Sequence, residues 1–117
     1  MRWPIRATFA AAVAAMGVSC AGTVARGPVV TPDGVRFTLE HSGARSVSVA
    51  GDFNDWSPSA HPLMRNGSGR WSIVVPLPAG EHKFMFVVDA EQWMVPPLAE
   101  DYVDDGFGSR NGVVIVR

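Results

Sequence analysis

The stretch Val35-Arg36-Phe37-Thr38-Leu39-Glu40 sets three large apolar side chains on one parity and three polar ones on the other. Successive side chains of an extended chain point to opposite faces, so this run predicts a strand with one buried and one wet face. The same period recurs further along. After a turn at His41-Ser42-Gly43, Val47, Val49 and Gly51 alternate with Ser46, Ser48 and Ala50. Trp71, Ile73 and Val75 alternate with Ser72 and Val74, between the turn clusters Arg65-Asn66-Gly67-Ser68-Gly69 and Pro76-Leu77-Pro78-Ala79-Gly80. Over Lys83–Asp89, Phe84, Phe86 and Val88 take one face and Met85 and Val87 the other, which predicts cover on both sides. Val113-Val114-Ile115-Val116 closes the chain after Gly108-Ser109-Arg110-Asn111-Gly112. Beyond the first twenty residues, nothing keeps apolar side chains at helical spacing for the ten or more residues a stable helix needs. The prediction is an all-β domain, a small antiparallel immunoglobulin-like sandwich in which two sheets each bury one face.

Composition bounds the rest. The chain has 117 residues with 12 glycines and 9 prolines, which leaves room for one turn-rich domain. A hydrophobic share of 47% against 18% charged residues excludes disorder along the whole length. Ten Lys and Arg balance eleven Asp and Glu at a formal charge of −1, and the basic residues are scattered singly. No nucleic-acid partner is expected of such a chain, since no basic stripe exists to neutralise phosphates. One Cys excludes an internal disulfide, and His41, His61 and His82 stand too far apart in sequence to suggest a metal site or other cofactor.

Residues 1–20 read as a cleaved signal peptide. Arg2 and Arg6 precede the uncharged run from Ala7 to Val18, and small residues follow. Roughly 20 apolar residues are needed to span a bilayer, and this run is shorter. Export to the periplasm, the outer membrane or the medium follows from that reading. Cys20 ends the run where bacterial lipoproteins carry their acylated cysteine. Ser19 and Val18 suit that pattern and Gly17 departs from it. Two outcomes stay open: a lipid on Cys20, the only membrane attachment expected, or ordinary cleavage after Ala21 or Ala25. Residues 21–32 mix small residues with Gly and Pro and read as a flexible tether, with the sandwich over 33–117. Loss of Arg2 and Arg6 with the leader leaves eight basic and eleven acidic residues, a net of −3.

No motif for catalysis is found. Gly106-Phe107-Gly108 lacks the strand-turn-helix setting of a phosphate loop. The acidic cluster Glu100, Asp101, Asp104 and Asp105 fails the calcium-loop spacing. Counted from Asp101, the third position is Val103 and the twelfth is Gly112, where oxygen ligands are required. The tryptophans are more informative. Trp71, in phase with Ile73 and Val75, reads as core, whereas Trp56 and Trp93 fall in loop or turn segments. An indole on a loop either plugs the end of the sandwich or serves as a flat platform for an apolar ligand face, such as the C–H face of a glucose ring.

Val49-Ala50-Gly51-Asp52-Phe53-Asn54-Asp55-Trp56, then Gly69-Arg70-Trp71, then Leu77–Asp89, Trp93 and Asn111 resemble the family-48 carbohydrate-binding modules. These early-set domains occur in the β subunit of AMP-activated kinase, in isoamylases and in branching enzymes. The resemblance runs from about Val35 to Val116. It implies a seven- or eight-stranded sandwich that binds α-1,4-linked glucan on one exposed surface. It further implies that Trp56 and Trp93 are stacking platforms and that Asn111 hydrogen-bonds sugar hydroxyls. Phe107 and Ser109 fall where the family has an apolar residue and a Thr beside the ligand. Met85 stands where the kinase-type module has a sugar-contacting Lys, and methionine cannot donate a hydrogen bond. Pro96-Pro97 departs from the family's Asp-Pro.

The expected function is non-catalytic binding of a glycogen- or starch-like glucan by a secreted or lipid-anchored module. The alternative is an envelope protein-protein interaction domain on the same fold with its sugar surface eroded, since fold alone does not carry function. An apolar patch elsewhere on the sheets would favour that alternative.

Overall fold

In the computed structural model, residues 26–117 are described. The leader 1–20 with Cys20, and residues 21–25 of the tether, lie outside the described residues. Nine strands follow in order: β1 (Val29–Thr31), β2 (Gly34–Glu40), β3 (Val47–Gly51), β4 (Met64–Asn66), β5 (Arg70–Val75), β6 (Gly80–Val88), β7 (Gln92–Met94), β8 (Asp101–Asp104) and β9 (Arg110–Val116). All pair antiparallel, in two sheets. One has the order β1-β2-β5-β4 and the other β3-β6-β9-β8, with β7 paired to β6. The all-β sandwich expected from the period-two runs is the fold observed.

The five long runs legible in the sequence are β2, β3, β5, β6 and β9, and their alternation decides the core. Val35, Phe37 and Leu39 from β2 and Trp71 and Val75 from β5 face Val47 and Val49 from β3, Phe84, Phe86 and Val88 from β6, and Val114 from β9. Phe37 and Phe84 are fully buried and meet edge to face at 4.9 Å, a favoured aromatic geometry. Trp71 is core, as its phase predicts, and its Nε1–H donates to the carbonyl of His41 at 2.9 Å, which satisfies the polar end of the buried ring.

The tether reading ends too late. Val29–Thr31 is a strand, with Val29 opposite Arg36 and Thr31 opposite Gly34, so the ordered sandwich starts four residues before position 33. The reversal is local. Thr31 Oγ1 accepts from Asp33 N–H and donates to the Gly34 carbonyl, and Gly34 takes a φ of 142° with the space for its missing Cβ 2.6 Å from the Val75 carbonyl oxygen. Only glycine fits there. Strands β4, β7 and β8 have three, three and four residues, too short for a period to show.

The two ends of the β3-β6-β9-β8 order are blunted. Along β3, Val49 N–H donates to His61 O and Leu63 N–H to Val47 O, with an isolated bridge between Ser48 and Pro62, so the segment 61–63 leading into β4 covers the edge. The other edge, β8, begins and ends in aspartate.

Candidate functional site

Strand β6 is the axis of the site. Ala50 lies opposite Met85 on β3, Trp93 opposite Val87 on β7, and Val113 opposite Lys83 on β9. Directly paired residues project to the same side. Lys83, Met85, Val87, Trp93, Ala50 and Val113 therefore share the sheet face turned away from the core. Asn111 precedes Val113 by two residues and joins them, opposite Val103 of β8. One flank of β6 is divided, its first half pairing with β9 and its last three residues with β7. Met85 sits at the junction.

An open cleft of about 440 Å³ lies over this face. Four residues singled out in the sequence line it: Trp56, Met85, Phe107 and Asn111. Met85, only 8% exposed, is its floor. Trp93 and Ser109 are not among the lining residues. Trp93 stands 45% exposed on the same face, one pairing position beyond Met85, and is in a short strand where the sequence suggested a turn. Ser109 sits in the β8–β9 turn. Asp52, Lys83 and Asp105 also line the cleft and were not foreseen. Period two was the available signal for Lys83, which must share a face with Met85. Asp105 was read as one of four solvated carboxylates, and nothing local distinguishes it.

Trp56 is held by its loop. Asp55 and Trp56 both adopt left-handed backbone, with φ of 56° and 57°, which costs a non-glycine residue roughly 1–2 kcal/mol. Asn54 supplies the compensating bonds. Its Oδ1 accepts from Gly51 N–H at 3.0 Å and Ser57 N–H at 3.3 Å. Its Nδ2 donates to the Val49 carbonyl at 3.1 Å and meets His61 Nδ1 at 2.8 Å. Trp56 N–H itself donates to the Gly51 carbonyl at 2.8 Å. The indole, partly exposed, thus hangs from the end of β3 in one backbone conformation.

Phe107 is displayed by similar means. Asp105 Oδ1 accepts from Phe107 N–H at 2.7 Å and Ser109 N–H at 3.0 Å, while Asp105 N–H donates to Ser109 O. Gly106 and Gly108 take φ of 82° and 91°, which closes the tip. The phenyl ring is 93% exposed, an apolar group held in water by a braced turn. At the other wall, Asp52 and Lys83 exchange bonds: Asp52 N–H donates to Lys83 O at 3.1 Å, and Lys83 N–H to Asp52 Oδ2 at 3.2 Å. The cleft therefore offers aromatic surface on two sides, a thioether floor, one ammonium, one amide and two carboxylates. That is a surface for a neutral, amphipathic, hydroxyl-bearing ligand.

Pro96 packs on the opposite, core-facing side of the sheet, the side shared by Gly112 and its pairing partners Phe84 and Tyr102. Tyr102 Oη donates to the buried Pro96 carbonyl at 2.8 Å, and Arg110 stacks over the Tyr102 ring at 4.4 Å. Gly112 lies beneath, where a Cβ would meet Pro96 Cγ at 2.5 Å.

Residues 34–117 match the family described as the glycogen recognition site of AMP-activated protein kinase. The chain is also similar to parts of larger enzymes. It is 40% identical over 65 residues to a 1,4-alpha-glucan branching enzyme of Rhodopseudomonas palustris, covering 55% of this chain and 9% of that protein. It is 35% identical over 96 residues to the branching enzyme of Burkholderia pseudomallei, covering 81% and 13%, and 47% identical over 47 residues to that of Dictyostelium discoideum, covering 40% and 7%. The chain thus matches about a tenth of the length of these relatives.

Proposed function

The chain belongs to the family of the AMP-activated protein kinase glycogen recognition site, and from that premise we propose that it binds α-1,4-linked glucan, without catalysis, across the outer face of β6. One observation carries the reading: Trp56, Met85, Phe107 and Asn111, distant in sequence, converge on one cleft of one sheet. Trp56 stacks on the apolar face of a glucose ring, Trp93 extends the platform past Val87, and Asn111 bonds hydroxyls. Phe107 closes over the chain from the hairpin tip, with Ser109 behind it. Both cleft carboxylates accept backbone N–H groups, which suits anchors and hydroxyl acceptors better than acid-base catalysts.

Export belongs to the same proposal. The leader of residues 1–20 directs the module out of the cytoplasm, where Cys20 either carries a lipid or is removed with the leader. The rival reading, an envelope protein partner, finds some support in Val29, Val74 and Met64, all exposed on the outer face of the other sheet. They are interspersed with Arg36, Thr38 and Ser72, and apolar residues scattered in this way are ordinary surface.

Affinity electrophoresis of the full chain through gels with and without glycogen tests the proposal. The wild type is expected to be retarded, and Trp56→Ala and Trp93→Ala each to bind about tenfold or more weakly, as anchors at a contact centre do. A wild type whose mobility ignores glycogen would overturn it.

A further inference from the structure

We propose that Lys83 is the residue that delivers a charge-assisted hydrogen bond to the bound sugar, on a floor where Met85 has no hydrogen to give. The inference rests on the glucan reading and adds to it a specificity-determining residue.

The argument starts from what the cleft lacks. A hydroxyl group both donates and accepts, so a surface that holds a row of them must present both roles. Asp52 and Asp105 only accept, and their carboxylates are already partly committed to backbone N–H groups. Met85 supplies polarizable apolar surface. Among the lining side chains, donors come only from the Trp56 indole, the Asn111 amide and the Lys83 ammonium.

Lys83 is placed for the task. It is two residues before Met85 on the same strand, hence on the same face, and lies opposite Val113. Both its backbone N–H and its carbonyl are hydrogen-bonded to Asp52. The side chain is exposed, and among the described residues its ammonium makes no ion pair and no hydrogen bond within the protein. The ammonium and the Asp52 carboxylate line the same cleft, so this face offers a donor as well as an acceptor to the hydroxyls of a sugar chain. Hydrogen bonds from ionised groups are about twice as strong as neutral ones.

The test is glycogen affinity of the full chain carrying Lys83→Met, which keeps the aliphatic stem and removes the charge, and Lys83→Arg, which keeps a cationic donor. Thermal melting is followed in parallel. The expected result is a Kd raised about 10- to 100-fold in Lys83→Met, the loss of one charged hydrogen bond. Lys83→Arg should stay within about threefold of wild type, and both variants should melt with the wild type. A wild type that binds glycogen while Lys83→Met binds equally well overturns the role of Lys83 and leaves the glucan site standing. Equal weakening of both variants with lowered melting temperatures also overturns it, because the residue would then act through the fold. A wild type that does not bind glycogen overturns the glucan reading itself, and this inference with it.

Discussion

Replacing Asn54 by alanine should loosen the Trp56 loop and cost the domain a measurable part of its stability. Asn54 makes four polar contacts, to Gly51 N–H, Ser57 N–H, the Val49 carbonyl and His61 Nδ1, between 2.8 and 3.3 Å and all partly buried. A hydrogen bond of this kind contributes about 1 kcal/mol net. The bond to Ser57 is the longest and counts least, and water reaches some of the freed groups, so the expected loss is about 2–3 kcal/mol. For a domain of this size each kcal/mol moves the midpoint by roughly 4–8 °C, which places the variant on the order of 10–20 °C below wild type. Urea denaturation followed by tryptophan fluorescence measures it, with an unchanged m-value as the sign that both end states are the same. Glycogen affinity at a temperature where the variant is fully folded should fall as well. Without the Asn54 side chain, the left-handed backbone of Asp55 and Trp56 is left with backbone bonds alone, such as Trp56 N–H to the Gly51 carbonyl. A shift below about 0.5 kcal/mol at constant m, the size of an ordinary surface change, would refute the assignment of Asn54 as the brace.

Gly51→Ala should be among the most damaging single changes. The added Cβ would lie 2.3 Å from the Lys83 carbonyl oxygen and 2.4 Å from the Phe53 ring, so backbone must move, and equilibrium unfolding should show a loss of about 3 kcal/mol or more. Phe107→Ala should leave the melting temperature unchanged, since the ring is 93% exposed, while weakening retardation by glycogen. Asp89 accepts from Arg45 N–H at 2.6 Å and Ser46 N–H at 3.1 Å, and these two bonds, the Arg45 one first, hold its carboxyl below the ordinary value of 3.8. A depressed value in the folded state means that its stabilising contribution is complete above the unfolded value and lost as pH falls through the lower folded one. In Asp89→Asn that acid component should vanish, so stability followed below about pH 4 should fall less steeply than in wild type.

The five long strands were legible because each spans enough residues for period two to show, and Phe37, Phe84 and Trp71 lie where their parity puts them. The short ones were not. Val29–Thr31 has only three residues, and what makes it a strand is the reversal at Gly34, with its close contact to Val75, 41 residues away in sequence. Gln92–Met94 is likewise set by its pairing with Phe86–Val88. The site divides along the same line. Trp56 stood out by its place on a loop, Phe107 and Asn111 by the resemblance, and one cleft brings the three together. Lys83 could have been found by counting two back from Met85. Asp105 could not, because its bond to the hairpin tip depends on backbone angles at Gly106 and Gly108 that one sequence does not display.

The blunted edges of the β3-β6-β9-β8 sheet bear on how such modules would crowd together. Many copies gathered on one branched polymer meet at high local density, and an open sheet edge would let neighbours zip into a continuous ribbon. The cover over β3 and the aspartates of β8 withhold that option at the two ends of the β3-β6-β9-β8 order. In the far layer, β1 exposes Val29 and Val30 at an edge only three residues long. Copies would then pack side by side as separate units, each free to leave the polymer on its own.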